Sequence, residues 1–349
     1  MRILHTADWH LDSTLSSVYP EEIAKKRRAE LCDGFCRMVE LAKELDINAV
    51  LIAGDLFDTK RVLVRTAERL RAAIADAPDI DFYYIAGNHD IDARFGQELP
   101  NLHRFTREFS RYTLGDGIAL YGAEAPDARA YRDLYPDENE TNLLLLHGEL
   151  SETAYGEDKV NVRALKRKGF DYLALGHYHS YETGTIDERL TYAYPGCPEG
   201  RGFDECGEKG VILLTVEKGS VEHRFIPFAV RTLHTLTPPL SDDLAESERA
   251  VSDMLAKIPR SDIVRLTVPR DGVISPLHAK ELLGDRFFYS EVKTARSGAV
   301  ADAREYADEI SLRGEFVRLV LASALPDDEK DDVLRYGLSA LIGEEGDGV

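Results

Sequence analysis

Several stretches of this 349-residue sequence begin as apolar strands and end in carboxylate and imidazole side chains. The first is LHTADWHLD, residues 4–12, and four later stretches follow the same pattern. The polar residues at these five strand ends are Asp8, His10, Asp55, Asp58, Asn88, His89, Asp90, His147, His177 and His179. Half of the ten histidines of the chain belong to this set, which indicates one shared site.

Carboxylates and imidazoles gathered in this way favour bound divalent cations, because without them the groups would repel one another or change protonation. The ligand types suit Mn²⁺, Fe²⁺ or Zn²⁺ better than Ca²⁺, and the lack of cysteine among these residues argues against a structural zinc site. A carboxylate such as Asp55 can bridge two ions about 3.5–4 Å apart, with a hydroxide nucleophile formed from the water between them. The pattern therefore predicts a two-metal site for phosphoryl chemistry.

Glycines precede Asp55, Asn88 and His177 in these motifs. A glycine permits a sharp turn at the end of a strand and a close approach of the backbone to a metal or substrate. One such motif by itself is more typical of a turn, and a single His147 after four leucines is more typical of a core histidine. Five motifs in order, each at the end of a predicted strand, favour the shared site.

The segments between the motifs predict the elements that position them. Strands are indicated by RILHTAD, AVLIAGDL, FYYIAGNHD, IALYGAEA, NLLLLHGEL, YLALGHYH and GVILLTVEKG, and helical spacing is present at residues 21–46 and 64–77. This alternation predicts parallel strands in a sheet with helices on both faces. Ligands bind at the carboxyl ends of such strands, where the polar residues lie.

The pattern changes after Pro227, and three domains are predicted: 1–228, 229–300 and 301–349. The second reads as a small α+β domain. The third reads as two amphipathic helices around Pro326, with one apolar face of Leu312, Phe316, Leu319 and Val320 and another of Leu334, Leu338 and Leu341.

Composition limits the function classes. No run approaches the ~18 apolar residues of a membrane span, and the N-terminus lacks the pattern of a signal peptide, so we expect a cytoplasmic protein. The four cysteines are too few for a disulfide framework and are expected to be reduced. A net charge of −20 argues against coating nucleic acid by bulk electrostatics. Of three basic stretches, 25–28 and 163–168 are expected to be solvated helix faces, whereas 103–111 is a candidate lining of a substrate groove.

The motifs DxH, GDxxD, GNHD, an apolar strand ending in His, and GHxH, in this order, resemble the calcineurin-like metallophosphoesterase superfamily. More narrowly, ILHTADWHLD, GDLFDT, AGNHD, LALGHYH and YPGCPEGRGFDECGEKG resemble bacterial DNA repair nucleases of the SbcD type, including their YhaO-like relatives. The resemblance covers residues 1 to about 228 well and the remainder more loosely. It implies an α/β fold with a two-layered β-sandwich core flanked by helices, a small α+β capping domain and C-terminal helices.

The resemblance also implies roles for the residues that match. The first metal ion would be held by Asp8, His10, Asp55 and His179. The second would be held by Asp55, Asn88, His147 and His177.

His89 would not be a ligand but would meet the phosphate and stabilise or protonate the leaving oxygen, and Asp90 would orient its ring. Asp58 stands where archaeal and eukaryotic relatives carry His. It is therefore expected to contact the catalytic residues without binding a metal ion itself. The residues themselves make Arg201, in the turn-rich stretch after the last motif, and Arg104, in the basic stretch 103–111, candidates for substrate contact, with a purely structural hairpin as the alternative for the stretch that carries Arg201.

The implied activity is Mn²⁺-dependent exonuclease or endonuclease cleavage of DNA in double-strand-break repair. The implied partners are DNA, a coiled-coil ATPase of the SbcC type that docks on the C-terminal helices, and a second copy in a homodimer, with no membrane. Two alternatives remain open: a metallophosphodiesterase acting on a small or lipid-linked phosphoester, and a DNA-end binding subunit without activity.

Overall fold

The structure is a computed structural model that describes residues 1–90, 99–156, 158–269, 272–295, 306–307, 309, 311–323 and 325–342. The chain divides into two compact units. One comprises Met1–His234 with Ser261–Ile263, and the other comprises Thr235–Arg260 with Val264–Val349.

The first unit is built from strands and short connecting helices. In chain order its strands are Arg2–Thr6 (β1), Ala49–Ala53 (β2), Asp81–Ile85 (β3), Leu102–Arg104 (β4), Ser110–Gly115 (β5), Ile118–Gly122 (β6), Thr141–His147 (β7), Glu149–Ser151 (β8), Lys159–Asn161 (β9), Tyr172–Gly176 (β10), Glu182–Thr185 (β11), Thr191–Tyr194 (β12), Gly210–Glu217 (β13) and Ser220–Pro227 (β14). Its helices are Glu21–Glu44 (α1), Val64–Ala75 (α2), Ala128–Arg132 (α3) and Val162–Leu165 (α4).

Two six-stranded sheets form the core of this unit. Their strand orders are β14-β13-β1-β2-β3-β4 and β11-β12-β10-β7-β6-β5. The strands β1 to β4 pair in parallel, as do β6, β7, β10 and β12. Antiparallel pairs lie towards the edges, as in β13 with β14 and β5 with β6. The carboxyl ends of the central strands therefore lie together within each sheet.

The sheets pack face to face, which confirms the two-layered β-sandwich implied by the family resemblance. Ile3 and Leu51 from one sheet share an apolar cluster with Leu143, Leu145 and Ala174 from the other. The prediction of one sheet with helices on both faces is wrong, because one face of each sheet is covered by the opposite sheet. A strand buried on both faces has the same apolar sequence whether a helix or a sheet covers it.

Helices cover the remaining faces. On the second sheet, Tyr131 of α3 and Leu165 of α4 join a cluster with Leu144 and Leu173. The connections β1–α1–β2 and β2–α2–β3 are crossovers between parallel strands, and they must run over the face that the second sheet leaves open. The buried side of α1 is mainly apolar, with Leu31, Phe35, Met38, Val39 and Ala42.

One basic residue of α1 departs from its predicted exposure. Arg27 belongs to the stretch expected to form a solvated helix face, but its side chain is fully buried. Its guanidinium pairs with Glu30 and donates a 2.8 Å hydrogen bond to the carbonyl oxygen of Gly200. Glu30 lies one turn along the same helix, but Gly200 is 173 residues away in sequence, so helical spacing alone could not predict that Arg27 is buried.

The second unit contains most of a three-stranded sheet, together with helices. The strands are Leu233–Leu236 (β15), Ile263–Pro269 (β16) and Tyr289–Ala295 (β17), in the order β15-β16-β17. The helices are Leu244–Ala256 (α5), Pro276–Leu283 (α6), Leu312–Ala322 (α7) and Asp327–Ile342 (α8). No helix among the described residues is both long enough and apolar enough to span a membrane.

The apolar contact between α7 and α8 differs from the predicted faces. Val317 and Val320 pack with Leu334 and Leu338, whereas Leu319, like Leu312, is exposed. Val317 is buried in this contact, although it was not part of the predicted apolar face. Residues 301–305, 308, 310, 324 and 343–349 of the predicted C-terminal segment lie outside the described residues.

A histidine lies in the apolar interior between the two sheets. His5 of β1 is completely buried, with Nδ1 3.1 Å from the hydroxyl of Tyr172 and Nε2 3.1 Å from the carbonyl oxygen of Leu175. Nε2–H can donate to that carbonyl while Nδ1 accepts from the hydroxyl, so the ring is satisfied when neutral. Burial lowers the pKa of His5 to about 3.

This histidine predicts a loss of stability in acid. Between pH 6.5 and 5, His5 binds a proton in the unfolded chain but not in the folded chain. The free energy of unfolding therefore falls as the pH falls. We expect wild type to lose roughly 1.5–2 kcal/mol more than His5→Gln over this interval. Denaturant unfolding of both proteins at the two pH values measures the difference, and parallel losses would contradict the assignment.

Candidate metal centre

The edges of the two sheets bring the predicted residues together. Asp8 and His10 follow β1, Asp55 follows β2, and His147 ends β7. The imidazole Nδ1 of His147 lies 2.8 Å from the carbonyl oxygen of Ala53, the last residue of β2. Residues from both sheets therefore face one another across a single crevice.

Asp55 lies at the centre of this crevice. Its Oδ2 is 3.6 Å from Nε2 of His10 and 3.5 Å from Nε2 of His147. The carboxylate is almost completely buried, and its Oδ1 accepts a 3.0 Å hydrogen bond from the backbone N–H of His89. One carboxylate thus stands between an imidazole from each sheet, which is the position a bridging ligand requires.

Three groups of potential ligand atoms lie in this crevice, and one of them includes Asp55. In each group the atoms lie within 4.8 Å of one another. The groups are Asp8 with His10 and His179, Asp8 with Asp55 and His147, and His10 with Asp58 and His89.

Each of three imidazoles is held from behind through Nδ1. The partners are the Ala53 carbonyl for His147, Asp58 Oδ1 at 3.2 Å for His10, and Glu205 Oε1 at 2.7 Å for His179. A hydrogen bond donated by Nδ1 leaves the lone pair on Nε2, the nitrogen that faces the crevice. Metal-binding histidines are commonly oriented by such contacts.

The inward-facing atoms are acceptors that lie close together. Nε2 of His10 is 3.2 Å from Nε2 of His179, and Nε2 of His147 is 3.0 Å from Oδ1 of Asn88. Two lone pairs at these distances repel each other unless a cation or a proton lies between them. The donor set of nitrogen and oxygen atoms fits divalent transition metals.

The electrostatics of the crevice agree with this fit. Burial, together with the nearby charge of Asp55, raises the pKa of Asp8 well above its usual value. Burial lowers the pKa of His10 to about 4 and also lowers the pKa of His147. These two imidazoles are therefore neutral at pH 7, as metal ligands must be, and a bound cation would stabilise Asp8 in its charged form.

The backbone at these strand ends is unusual. Asp8, His10, Asp55 and His177 are non-glycine residues with positive φ, at 53°, 44°, 50° and 117°. Such conformations cost energy and are enriched at functional sites. They turn the chain abruptly where a strand ends.

His177 lies beside the ligand groups and outside them. Its backbone N–H donates to both carboxylate oxygens of Asp8, each at 3.0 Å, and its ring lies edge-on to His147 with centroids 5.4 Å apart. The implied role as a ligand stays a prediction for His177.

Asp90 does not orient the ring of His89, contrary to prediction. Its buried carboxylate accepts hydrogen bonds from the backbone N–H groups of Phe57 and Gly87 and from the hydroxyl of Tyr84. Nδ1 of His89 instead lies 3.3 Å from the carbonyl oxygen of Asp58. Asp90 therefore ties together the two loops that carry the ligands.

The two arginines predicted to contact substrate both have acidic neighbours. Arg201 has its Nη2 2.7 Å from Glu205 Oε1 and its Nη1 3.5 Å from Asp58 Oδ1, at the border of the crevice. Arg104 has its Nε 3.6 Å from Glu124 Oε1. In the same basic stretch, Phe105 is buried in the core between the sheets, so its ring does not line a surface groove.

Glu205 is a functional candidate that the sequence reasoning missed. Its side chain is 3% exposed and contacts both His179 and Arg201. It lies in FDECGEK, a stretch that stands out in the sequence only for its turn residues and its family resemblance. An acidic residue in such a turn-rich stretch is expected to lie in a surface loop. Only the tertiary structure places Glu205 against Nδ1 of His179.

The family model for calcineurin-like phosphoesterases matches residues 1–181, and the chain belongs to this family of metal-dependent hydrolases. Among curated proteins, it is 27% identical over 250 residues to the uncharacterized metallophosphoesterase YhaO of Bacillus subtilis, covering 64% of this chain and 60% of that one. It is 26% identical over 317 residues to the DNA double-strand break repair protein Mre11 of Methanopyrus kandleri, covering 79% of this chain and 66% of that one.

It is also 33% identical over 150 residues to a subunit of the nuclease SbcCD of Bacillus subtilis, covering 42% of this chain and 36% of that one. The chain thus spans less than two thirds of the length of each of these relatives.

Gly54, directly before Asp55, provides a test of how tightly the crevice is packed. Its φ is +86°, and an added Cβ would lie 2.2 Å from Nδ1 of His147. Gly219 has a similar φ of +80° with no atom near its Cβ position, so it is a matched control. We expect Gly219→Ala to cost about 1–2 kcal/mol from backbone strain alone.

Gly54→Ala adds a clash to the same strain, so it should cost at least about 2 kcal/mol more than Gly219→Ala. Denaturant unfolding measures both free energies. Equal costs would mean that His147 does not pack against this turn.

Proposed function

We propose that this protein is a two-metal nuclease that hydrolyses phosphodiester bonds of DNA, as an exonuclease or endonuclease in double-strand-break repair. The observation that carries the proposal is the Asp55 carboxylate standing between His10 and His147, imidazoles from two different sheets. The names of the Mre11 and SbcCD relatives support DNA as the substrate.

Two divalent ions, Mn²⁺ in our proposal, would be shared among the residues of the crevice. Asp8, His10, Asp55 and His179 would hold one ion, and Asp55, Asn88, His147 and His177 would hold the other. Such ions lower the pKa of water and offset the charge of a phosphodiester. The chain itself supplies imidazole nitrogens and a carboxylate between them in a fixed arrangement.

His89 is the proposed proton donor. Its side chain is exposed, and its ring lies edge-on to His10 with centroids 4.8 Å apart. When Nδ1–H donates to the carbonyl oxygen of Asp58, the protonated ring still has Nε2–H to give to the leaving oxygen. Asp58 would act by holding His89 through its backbone and His10 through its carboxylate.

DNA and protein partners would be bound outside the crevice. Arg201 and Arg104 are proposed to contact the phosphates, the segment 229–300 to act as a capping and DNA-binding domain, and the segment 301–349 to dock a coiled-coil ATPase of the SbcC type. Leu312 and Leu319 of α7 are 73% and 65% exposed, which supports docking of an apolar partner. A homodimer and a cytoplasmic location complete the proposal.

The substrate is tested by comparing two phosphodiesters. We expect Mn²⁺-dependent cleavage of linear duplex DNA, measured on gels, to exceed that of bis-(p-nitrophenyl) phosphate, measured by absorbance, under the same conditions. Turnover of only the small ester would favour the alternative of a small or lipid-linked substrate. Mn²⁺ bound without turnover of either would favour the DNA-end binding subunit.

Two substitutions separate metal binding from proton donation. Asp55→Ala should lose both Mn²⁺ and turnover, because it removes the carboxylate between the two histidines. His89→Ala should keep Mn²⁺ and lose about 10²–10⁴-fold in turnover, the usual contribution of a general acid.

Metal analysis and DNA cleavage assays measure both effects. His223→Ala is the control, since His223 lies on the edge strand β14, where its Nε2 is 3.2 Å from the Thr183 hydroxyl, and it belongs to no segment proposed to bind metal or DNA. Equal metal loss in the Asp55 and His89 variants would refute the division of roles.

A further inference from the structure

Three charged side chains form a connected group behind two proposed metal ligands, on the Nδ1 side of each imidazole. Asp58 Oδ1 lies 3.2 Å from Nδ1 of His10, and Glu205 Oε1 lies 2.7 Å from Nδ1 of His179. Arg201 connects the two carboxylates, with Nη1 3.5 Å from Asp58 and Nη2 2.7 Å from Glu205. We call Asp58, Arg201 and Glu205 the brace. With the 3.2 Å contact between the two Nε2 atoms, the five side chains form a closed ring.

The brace is held rigidly at Glu205. Its Oε2 accepts a 2.6 Å hydrogen bond from the backbone N–H of Arg201, and its Oε1 accepts from Nε and Nη2 of the same residue. Nη2 of Arg201 is also 3.2 Å from Nδ1 of His179, but the carboxylate of Glu205 is nearer, at 2.7 Å, and can only accept, so Nδ1 donates its hydrogen to Glu205. The side chains of Glu205 and Arg201 are 3% and 15% exposed, so solvent screens these charges weakly.

The imidazole of His147, in the other half of the crevice, contacts neutral groups. Nδ1 of His147 faces the backbone carbonyl of Ala53, and Nε2 faces the amide oxygen of Asn88. Its proposed anionic ligand, Asp55, is shared with the first half. The group behind His147 is therefore neutral, whereas the groups behind His10 and His179 are carboxylates.

We infer that the brace makes the half of the centre at His10 and His179 the tighter of two unequal cation sites. The inference rests on the proposed metal centre. A carboxylate that accepts the rear N–H of an imidazole strengthens the opposite nitrogen as a ligand more than a neutral carbonyl does. The brace carries two negative charges and one positive charge, so its net charge also attracts a cation. Arg201 is then a positioning residue that keeps the two carboxylates in place.

Calorimetric titration of the metal-free, full-length protein with MnCl₂ tests the inference. Wild type should bind two ions in resolved steps. Glu205→Gln should weaken the tighter step by about 10–100-fold, the usual cost of losing such a contact, and change the weaker step by less than about threefold. Asp58→Asn should weaken the same step through His10, and its side chain is more exposed, so the fold should tolerate it. Circular dichroism checks that each variant is folded.

Glu208→Gln is the matched control, because it removes the same charge from an exposed position in the same loop. It should leave both steps unchanged. The inference is overturned if wild type binds two ions equally, if the folded brace variants weaken both steps alike or neither, or if Glu208→Gln has the same effect. If wild type binds no Mn²⁺ at all, it is the proposed metal centre that fails.

Discussion

The main physical constraint on the metal centre is the repulsion among the carboxylates and among the imidazole lone pairs that the fold places in one crevice. Asp8 and Asp55 are almost fully buried, and the Nε2 atoms of His10 and His179 face each other at 3.2 Å. Water relieves this arrangement poorly, because Asp8, His10 and Asp55 are almost fully buried, and a buried imidazole would have to bind a proton against the cost of burial. Divalent cations relieve it directly, so the energetic problem and the chemical capacity of the site have the same origin.

The β-sandwich is the scaffold that makes this crowding possible. Each parallel set of strands ends at one edge, and face-to-face packing brings the two edges together, so His147 of one sheet reaches Ala53 of the other. The positive φ values of Asp8, His10 and Asp55 turn the side chains into the crevice within a few residues of the strand. Apolar burial between the sheets supplies the free energy that offsets this local strain.

The centre is also more than its innermost ligands. Asp58, Glu205 and the Ala53 carbonyl each fix one imidazole from behind, and Asp90 fixes the loops. These contacts select the tautomer that carries its hydrogen on Nδ1 and leaves the lone pair of Nε2 facing the crevice. An isolated histidine would not favour this tautomer strongly. Membership in the calcineurin-like phosphoesterases agrees with such a centre, and the unequal support of its two halves follows from the residues of this chain alone.

The sequence by itself determined the local features: which residues end apolar strands, that those residues suit divalent metals, and that a family of phosphoesterases shares their order. Strand and ligand types follow from side-chain chemistry and short-range spacing, which are visible in one dimension. Only the tertiary structure decided that a second sheet covers the first, that Arg27 is buried, that Asp90 binds loops, and that Glu205 stands behind His179. These outcomes depend on contacts between residues far apart in the chain, and burial changes the meaning of a charged residue in ways that spacing does not encode.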